Sequence, residues 1–314
     1  MHVTCLDNFA VTCHFRCVVT AKYQKLRQLL ESYGSCLVAY SGGVDSVFLA
    51  YIARKVLAAK SLAAIADSPS LPRRELEEAL ALGEQFKFPV RVVRTREFEN
   101  PSYLANPSNR CYFCKHELFT ELIPLAKQLG FNVLAYGENA SDIGDYRPGA
   151  QAAAQFHVRA PLKEAGLTKA EIRELSAQFG LPTADKPQMA CLSSRVPYGE
   201  TVSPQKLKMI EAAENVLRDL GFYDVRVRHH ELASGPKTPL PTAAGVVFAQ
   251  PASFQVQSGS IQHLARIEVG AGEMPKFLAN GASLKVVESL KKIGYAHITL
   301  DLQGYRRGST NEVI

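Results

Sequence analysis

The sequence predicts an α/β protein, with a domain built on a parallel sheet followed by a smaller α/β domain. Three observations carry this expectation. Short apolar runs alternate with helix-patterned segments between residues 36 and 136, the order that builds a parallel sheet covered by helices. The first run ends in the glycine turn Ser41-Gly42-Gly43-Val44-Asp45-Ser46, which opens a helix. After Pro197-Tyr198-Gly199 the pattern changes to a helix followed by strands. The chain of 314 residues is long enough for two ordinary domains. It is read as a lead-in at 1–20, a first domain at 21–197 and a second at 198–314.

In the first domain, Cys36-Leu37-Val38-Ala39-Tyr40 reads as a strand, and Val47-Phe48-Leu49, Ile52 and Val56-Leu57 follow at helical spacing. Residues 62–66 read as the second strand. Residues 72–86 read as a helix with Leu76, Ala79, Leu80 and Gly83 on one stripe. Val90-Arg91-Val92-Val93 is the third strand. A helix is expected over 117–129, with Pro124 as a kink point, and 133–136 is the fourth strand. Thr168 caps a helix over 168–179, Glu171 completes the capping box, and Gly180 with Pro182 ends it. In the second domain, residues 204–220 carry Leu207, Ile210, Val216 and Leu220 on one helical stripe. Val225-Arg226-Val227-Arg228 alternates as a strand, and strands at 265–269 and 297–302 flank a helix at 284–292. Residues 234–260 are rich in Pro, Ala, Gly, Ser and Gln, lack acidic residues, and read as an inserted surface loop.

The composition, 46% hydrophobic and 21% charged, is that of a soluble globular chain. No apolar run reaches spanning length, so no membrane segment is expected. The first twenty residues have no continuous apolar stretch and carry Asp7, His14 and Arg16, unlike a secretory signal. The expected compartment is the cytoplasm. A net charge of +6 suits phosphorylated ligands and is modest for a dedicated nucleic-acid binder. Seven cysteines do not suggest a disulfide framework, so they are read as thiols, metal ligands or catalysts. Cys5, Cys13 and Cys17 fall in the lead-in, where no periodic pattern supports a packed element. Cys36 fits a small buried hydrophobe in the first strand.

The glycine turn directs several backbone N–H groups and the positive end of a helix dipole at one point, which suits phosphate. Gly42 and Gly43 allow close approach of the backbone. Ser41 and Ser46 add hydroxyls, and Asp45 can hold Mg2+ between protein and phosphates. A plain strand–helix turn with a Ser/Asp cap has the same residues. The lysine of a Walker A loop is missing. The hexapeptide resembles the pyrophosphatase loop (PP-loop) of the ATP-pyrophosphatase superfamily, whose fold is adenine nucleotide alpha hydrolase-like. Its members cleave ATP between the α- and β-phosphates and pass AMP to an oxygen of the substrate. The resemblance implies ATP as cosubstrate, an adenylated intermediate and pyrophosphate as product.

Cys111-Tyr112-Phe113-Cys114 can chelate a metal or one edge of a cluster, because two intervening residues bring both sulfurs to one side. Two buried thiols and a redox pair are the other readings of the pair alone. Arg110 and Lys115 are expected to favour the thiolate. A third cysteine, Cys191, lies in a small-residue stretch, Met189-Ala190-Cys191-Leu192-Ser193-Ser194-Arg195. A structural zinc takes four ligands and no fourth cysteine is nearby, whereas three thiolates suffice for a [4Fe–4S] cluster with one open iron. His116 is the residue that could complete a zinc site instead. His157, His229 and His230 read as surface or core histidines.

The motifs then occur in a specific order: Ser41 to Ser46; Asp145-Tyr146-Arg147-Pro148-Gly149; Cys191-Leu192-Ser193-Ser194-Arg195 with Pro197-Tyr198-Gly199; Val225-Arg226-Val227-Arg228; Ala265-Arg266-Ile267-Glu268; and Thr299-Leu300-Asp301-Leu302 with Gly304-Tyr305-Arg306. Over residues 20 to 310, apart from the insertion, this resembles the LarE family of ATP-dependent sulfur transferases in nickel-pincer nucleotide biosynthesis. One type of LarE gives up the sulfur of a single cysteine. The other adds a CxxC pair and holds a [4Fe–4S] cluster on three cysteines, and Cys111, Cys114 and Cys191 resemble that second type. The resemblance implies a pyridinium-3,5-dicarboxylic acid mononucleotide as substrate, adenylation of its carboxylates, and conversion to thiocarboxylates at Cys191 and the cluster.

Arg226 and Arg228 lie on one strand face and suit the substrate's phosphate, with Ser194 and Arg195 joining them; a solvated strand face is the plainer reading. By resemblance Glu214 is the carboxylate of that pocket. Lys276 falls near a position where the family has a further carboxylate. The resemblance also implies a homo-oligomer, with no membrane or nucleic-acid partner. The competing readings are an iron–sulfur tRNA thiolase of the PP-loop superfamily, an amide-forming synthetase of that superfamily, and a non-catalytic metal-binding module on a nucleotide fold.

Overall fold

The computed structural model describes residues 6–142, 147–187, 190–232, 261–279 and 281–306, with side chains described from residue 18 onward. The expected insertion at 234–260, and Asp145 and Tyr146, lie outside the described residues, as do the side chains of Cys5, Cys13 and Cys17. The chain forms two compact units: Met1–Leu192 with Tyr198–Ser203, and Ser193–Pro197 with Pro204–Ile314. Among the described residues no helix is long and apolar enough to cross a membrane.

The first unit begins with helix α1 (Leu6–Tyr33), which starts inside the segment read as an unstructured lead-in. Then come β1 (Cys36–Tyr40), α2 (Val44–Leu57), β2 (Ser61–Asp67), α3 (Arg73–Gln85), β3 (Val90–Arg94), α4 (Pro101–Leu104), α5 (Arg110–Gln128), β4 (Val133–Tyr136), α6 (Pro148–Gln155), α7 (Pro161–Glu164) and α8 (Lys169–Gln178). The four strands form one parallel sheet in the order β3-β2-β1-β4, the α/β architecture expected. Every residue of β1 is buried, because both faces of the sheet are covered. Cys36, Val38 and Tyr40 pack with Leu26 and Leu30 of α1, Phe48 and Ile52 of α2, and Ile172 of α8. Leu37 and Ala39 point the other way, to Phe119 and Leu122 of α5 and Ala152 of α6. The two-residue period of a strand thus sorts adjacent side chains of β1 into two separate cores.

Helix α5 starts at Arg110, seven residues before the expected position, and passes through Pro124 without ending. The Cys111/Cys114 pair is therefore in the opening turns of a helix. Helix α8 has the expected Thr168–Glu171 capping box.

The second unit holds α9 (Pro204–Asp219), β5 (Val225–Leu232), β6 (Gln262–Val269), α10 (Ala282–Ile293) and β7 (His297–Leu300). Its sheet has the order β5-β6-β7, with β5 and β6 antiparallel and β6 and β7 parallel. One sheet face, with Val225, Val227, Ala265, Ile267 and Val269, packs on Ala213 and Leu217 of α9 and on Val286 and Leu290 of α10.

Candidate functional site

The turn after β1 lies at the carboxyl edge of the sheet, where the chain order reverses between β1 and β4. In open parallel sheets this is the crevice that takes ligands. Gly42 has φ +72°, and a Cβ there would stand 3.0 Å from Ala79 Cβ, so glycine is required on both counts. Ser46 Oγ accepts from the Ser41 amide at 3.1 Å and donates to the Gly43 carbonyl at 3.0 Å. That fixes the loop, while no side chain caps the first turn of α2 at Gly43. The loop is thus braced by Ser46, and its N-cap glycine offers no side chain to the first amides of α2. Gly137, directly after β4, faces this turn, and a Cβ there would lie 3.0 Å from the Ser46 nitrogen.

Two carboxylates meet beside the turn. Asp45 Oδ2 accepts from Lys169 Nζ at 2.7 Å, and its Oδ1 is buried with no partner. Asp142 pairs with Arg147 at 2.5 Å. Burial pushes the Asp142 carboxyl above the ordinary aspartate range despite the Asn139 amide and Arg147, and neighbouring Asp45 adds to the rise. Local hydrogen bonds hold this arrangement. The Lys169 amide donates to Ser141 Oγ at 3.0 Å, and the Ala140 amide to the Leu167 carbonyl at 2.8 Å. Two carboxylates, one with a bare buried oxygen, fit a hard cation such as Mg2+.

The three cysteines come together in the same unit, with Arg110 beside Cys111 and Cys191. Cys111 and Cys114 are three residues apart on α5, hence on one helix face. Arg110 is buried, hydrogen-bonds Asn106, and places Nη2 4.0 Å from Cys191 Sγ. The Leu192 amide donates to the Ser70 carbonyl at 2.9 Å, which ties the Cys191 segment to this unit. Arg110 and Lys115 favour the thiolate at Cys111, and Lys115 does so at Cys114. Desolvation and the adjacent Cys191 outweigh them, raising Cys111 and pushing Cys114 up to about 12. His116 packs its ring on Phe156, with centroids 4.9 Å apart, and on Tyr112. Among the described residues, the group of three side chains converging at single-ion spacing does not include the cysteines. Three thiols that act on one another, outside any group gathered at single-ion spacing among the described residues, suit a cluster held by three cysteines. Gly149 allows α6 to lie close to the start of α5, since a Cβ there would be 3.0 Å from Lys115 Cγ.

In the second unit, Ser194, Arg195, Glu214, Arg226 and Arg228 converge. Arg195 and Glu214 are both fully buried, with Nε to Oε1 at 2.7 Å and Nη2 to Oε2 at 3.2 Å. Burial opposes the Glu214 charge, but Arg195 and Arg218 hold the carboxyl below the usual range. Arg228 forks onto Glu268 at 3.0 and 2.8 Å and donates to the Ser194 carbonyl at 2.8 Å. Arg226 lies with its guanidinium 4.6 Å from the Tyr305 ring centre, and burial lowers its pKa, with Arg195 adding to the effect. The face of β5 that carries Arg226 and Arg228 is buried, so it is not a solvated strand face. Lys276 is on the surface, bonded to Glu273 and to the Gly221 carbonyl at 2.7 Å each.

No family model matches the chain. Over 297 residues it is 40% identical to an uncharacterised protein of Synechocystis sp., covering 95% of this chain and 99% of that one. Over 297 residues it is also 28% identical to the pyridinium-3,5-bisthiocarboxylic acid mononucleotide synthase of Lactiplantibacillus plantarum, covering 94% and 96%. These likenesses support a LarE-like family. An uncharacterised protein of Methanocaldococcus jannaschii is 25% identical over 195 residues, 62% of this chain and 74% of that protein.

Sequence reasoning missed three members of this LarE-like constellation. Lys169 meets Asp45 across 124 residues, a contact no local pattern announces. Asp142 follows the fourth strand by six residues, and its place at the carboxyl edge of a parallel sheet was a usable signal. Arg110 is legible only as a nearby charge, because its place beside Cys111 and Cys191 depends on helix α5 starting there.

Proposed function

We propose that this chain is an ATP-dependent sulfur transferase of the LarE type. It adenylates the carboxylates of pyridinium-3,5-dicarboxylic acid mononucleotide and converts them to thiocarboxylates. The observation that carries the reading is the presence, in one compact unit, of a braced helix start beside Asp45 and Asp142, together with three mutually interacting thiols. Similarity to the L. plantarum synthase supports the substrate class.

A carboxylate resists sulfur because oxide is a poor leaving group. Its oxygen attacks the α-phosphorus of ATP, pyrophosphate leaves, and a mixed anhydride forms. Sulfide addition at the carbonyl carbon then breaks the C–O bond and releases AMP. The amides at Gly43 to Ser46 receive the phosphates. Asp45 and Asp142 would hold Mg2+, which would supply charge to offset the pyrophosphate. Lys169 neutralises Asp45. Cys111, Cys114 and Cys191 would hold the [4Fe–4S] cluster, which when bound would supply an iron able to carry inorganic sulfide. Arg226, with Ser194, Arg195 and Arg228 around it, receives the substrate phosphate.

The test uses protein purified without oxygen. Each of Cys111→Ala, Cys114→Ala and Cys191→Ala is expected to lose iron, labile sulfide and sulfur transfer while still releasing pyrophosphate from ATP and substrate. Mass spectrometry after turnover is expected to find Cys191 intact. Conversion of Cys191 to dehydroalanine, with Cys111→Ala and Cys114→Ala still active, would overturn the cluster assignment in favour of a sacrificial cysteine.

A further inference from the structure

The outer end of the β5–β6 pair gathers a different set of side chains. Alternate residues of a strand share a face, so Val225, Val227, His229 and Glu231 form one row on β5. The register sets Val269, Ile267, Ala265 and His263 opposite them on β6. The row is apolar where α9 and α10 cover it, then changes to two imidazoles and a carboxylate at its end. Among the described residues, His229, Glu231 and His263 are the group of metal-capable side chains whose ligand atoms converge, all within 4.8 Å of one another.

Two ring nitrogens here are buried with no hydrogen-bond partner, His229 Nε2 and His263 Nδ1. His229 is fully enclosed, at 0% exposure, and its Nδ1 lies 3.1 Å from the Tyr295 hydroxyl. A buried polar atom left unpaired forfeits about 1–3 kcal/mol, so two in one cluster call for an occupant. The Tyr295 contact engages the far nitrogen of His229, as the outer partner of a ligating histidine does, and leaves Nε2 to bind.

We propose that His229, Glu231 and His263 form a binding site for a first-row divalent cation, of which Zn2+ is the representative. Two imidazoles and one carboxylate suit such borderline ions and do not suit Mg2+ or Ca2+, which take oxygen sets. Three protein ligands leave at least one position for water or a further ligand. Bonds of about 2.0–2.2 Å require the side chains to close in slightly on the ion. Lys206 Nζ stands 2.9 Å from Glu231 Oε2. It balances that carboxylate without an ion and competes with a cation for it. The ligands come from the two strand ends that flank residues 233–260, so a bound ion fastens the two ends of that stretch together. This site is independent of the proposed reaction, and none of its residues belongs to the first unit.

The test is titration of the full chain with Zn2+, read by calorimetry and by metal retained after gel filtration, with Mg2+ in parallel. The background carries Cys111→Ser, Cys114→Ser and Cys191→Ser, so that zinc on those thiols does not contribute. One Zn2+ per chain is expected, in preference to Mg2+. Glu231→Gln and His263→Asn are each expected to weaken binding at least tenfold, and Lys206→Met to strengthen it. His229 is so enclosed that its replacement can unfold the unit. The decision therefore rests on Glu231 and His263, which are partly exposed, with circular dichroism to verify folding, and on the opposite effect at Lys206. Unchanged affinity in Glu231→Gln and His263→Asn, no retained Zn2+ in the background, or Mg2+ binding weakened by Glu231→Gln and His263→Asn as much as Zn2+ binding would each show that the proposal is wrong.

Discussion

Replacing Glu214 by alanine should be among the most damaging single changes in the second unit. Glu214 accepts from Arg195 Nε at 2.7 Å and Nη2 at 3.2 Å, from Arg218 Nη2 at 3.3 Å and from the Val227 amide at 3.1 Å. The Arg195 and Glu214 side chains are both 0% exposed. Removing one partner of a buried pair leaves the other charge without compensation, a loss of about 3–5 kcal/mol. Arg218 is nearer the surface, at 17% exposure, so Arg218→Ala should lose only about 0–1 kcal/mol. Replacing both members, Arg195→Met with Glu214→Leu, should restore much of the stability, because the desolvation of both charges disappears together. The chain has no tryptophan, so urea unfolding is followed by far-UV circular dichroism. The reasoning fails if Glu214→Ala loses less than about 1 kcal/mol, or if Arg218→Ala is equally harmful.

Three further expectations concern the rest of the molecule. Gly137→Ala should impair ATP binding and lower stability by about 1–3 kcal/mol, since the new methyl meets Ser46 nitrogen at 3.0 Å and Asp45 carbonyl carbon at 3.2 Å, both backbone; unaltered nucleotide affinity in a calorimetric titration would rule out that contact as a constraint. Asp45→Ala should reduce pyrophosphate release by about 100-fold or more but shift stability by under about 1 kcal/mol, because its Lys169 pair is partly exposed at 17% and 32%; normal release by this variant removes the loop from the reaction. Burial, with His263 and Lys206 nearby and only Glu231 opposing, lowers His229 to about 4, and His230 is lowered by burial with Arg266 and Arg228. The unfolded chain therefore takes up these protons first as pH falls. Stability present above about pH 6.5 should be lost between there and pH 4, by about 3 kcal/mol for His229. Urea midpoints that do not fall across this range would contradict the buried placement.

Much of the first unit was legible because its signals are local. Apolar runs of strand length, the glycine turn and the Thr168–Glu171 box each act within a few residues. The start of α5 was not legible, because Asn109 makes no side-chain cap there and the polar and aromatic residues from Arg110 to His116 show no apolar stripe. The three thiols were recognisable as a set from their types and neighbours. The protonation of Cys111 was not, because the sequence shows Arg110 and Lys115 but not the desolvation that outweighs them. Arg226 and Arg228 were correctly set on one face, yet alternation alone cannot say that Glu268 on a strand forty residues away forks onto Arg228. The strand ends of β5 and β6, and with them the His229 cluster, were missed because the row there stops being apolar.

The position of β1 bears on how the chain is made. It is the first strand to leave the ribosome, and it lies between β2 and β4. β2 follows almost at once, but β4 is not made until residue 136 is reached. At cellular translation speeds this leaves one hydrogen-bonding edge of a wholly apolar strand uncovered for on the order of ten seconds. Nascent chains halted between residues 41 and 132 would keep that edge open, and these are the lengths at which a ribosome-associated chaperone has most to shield.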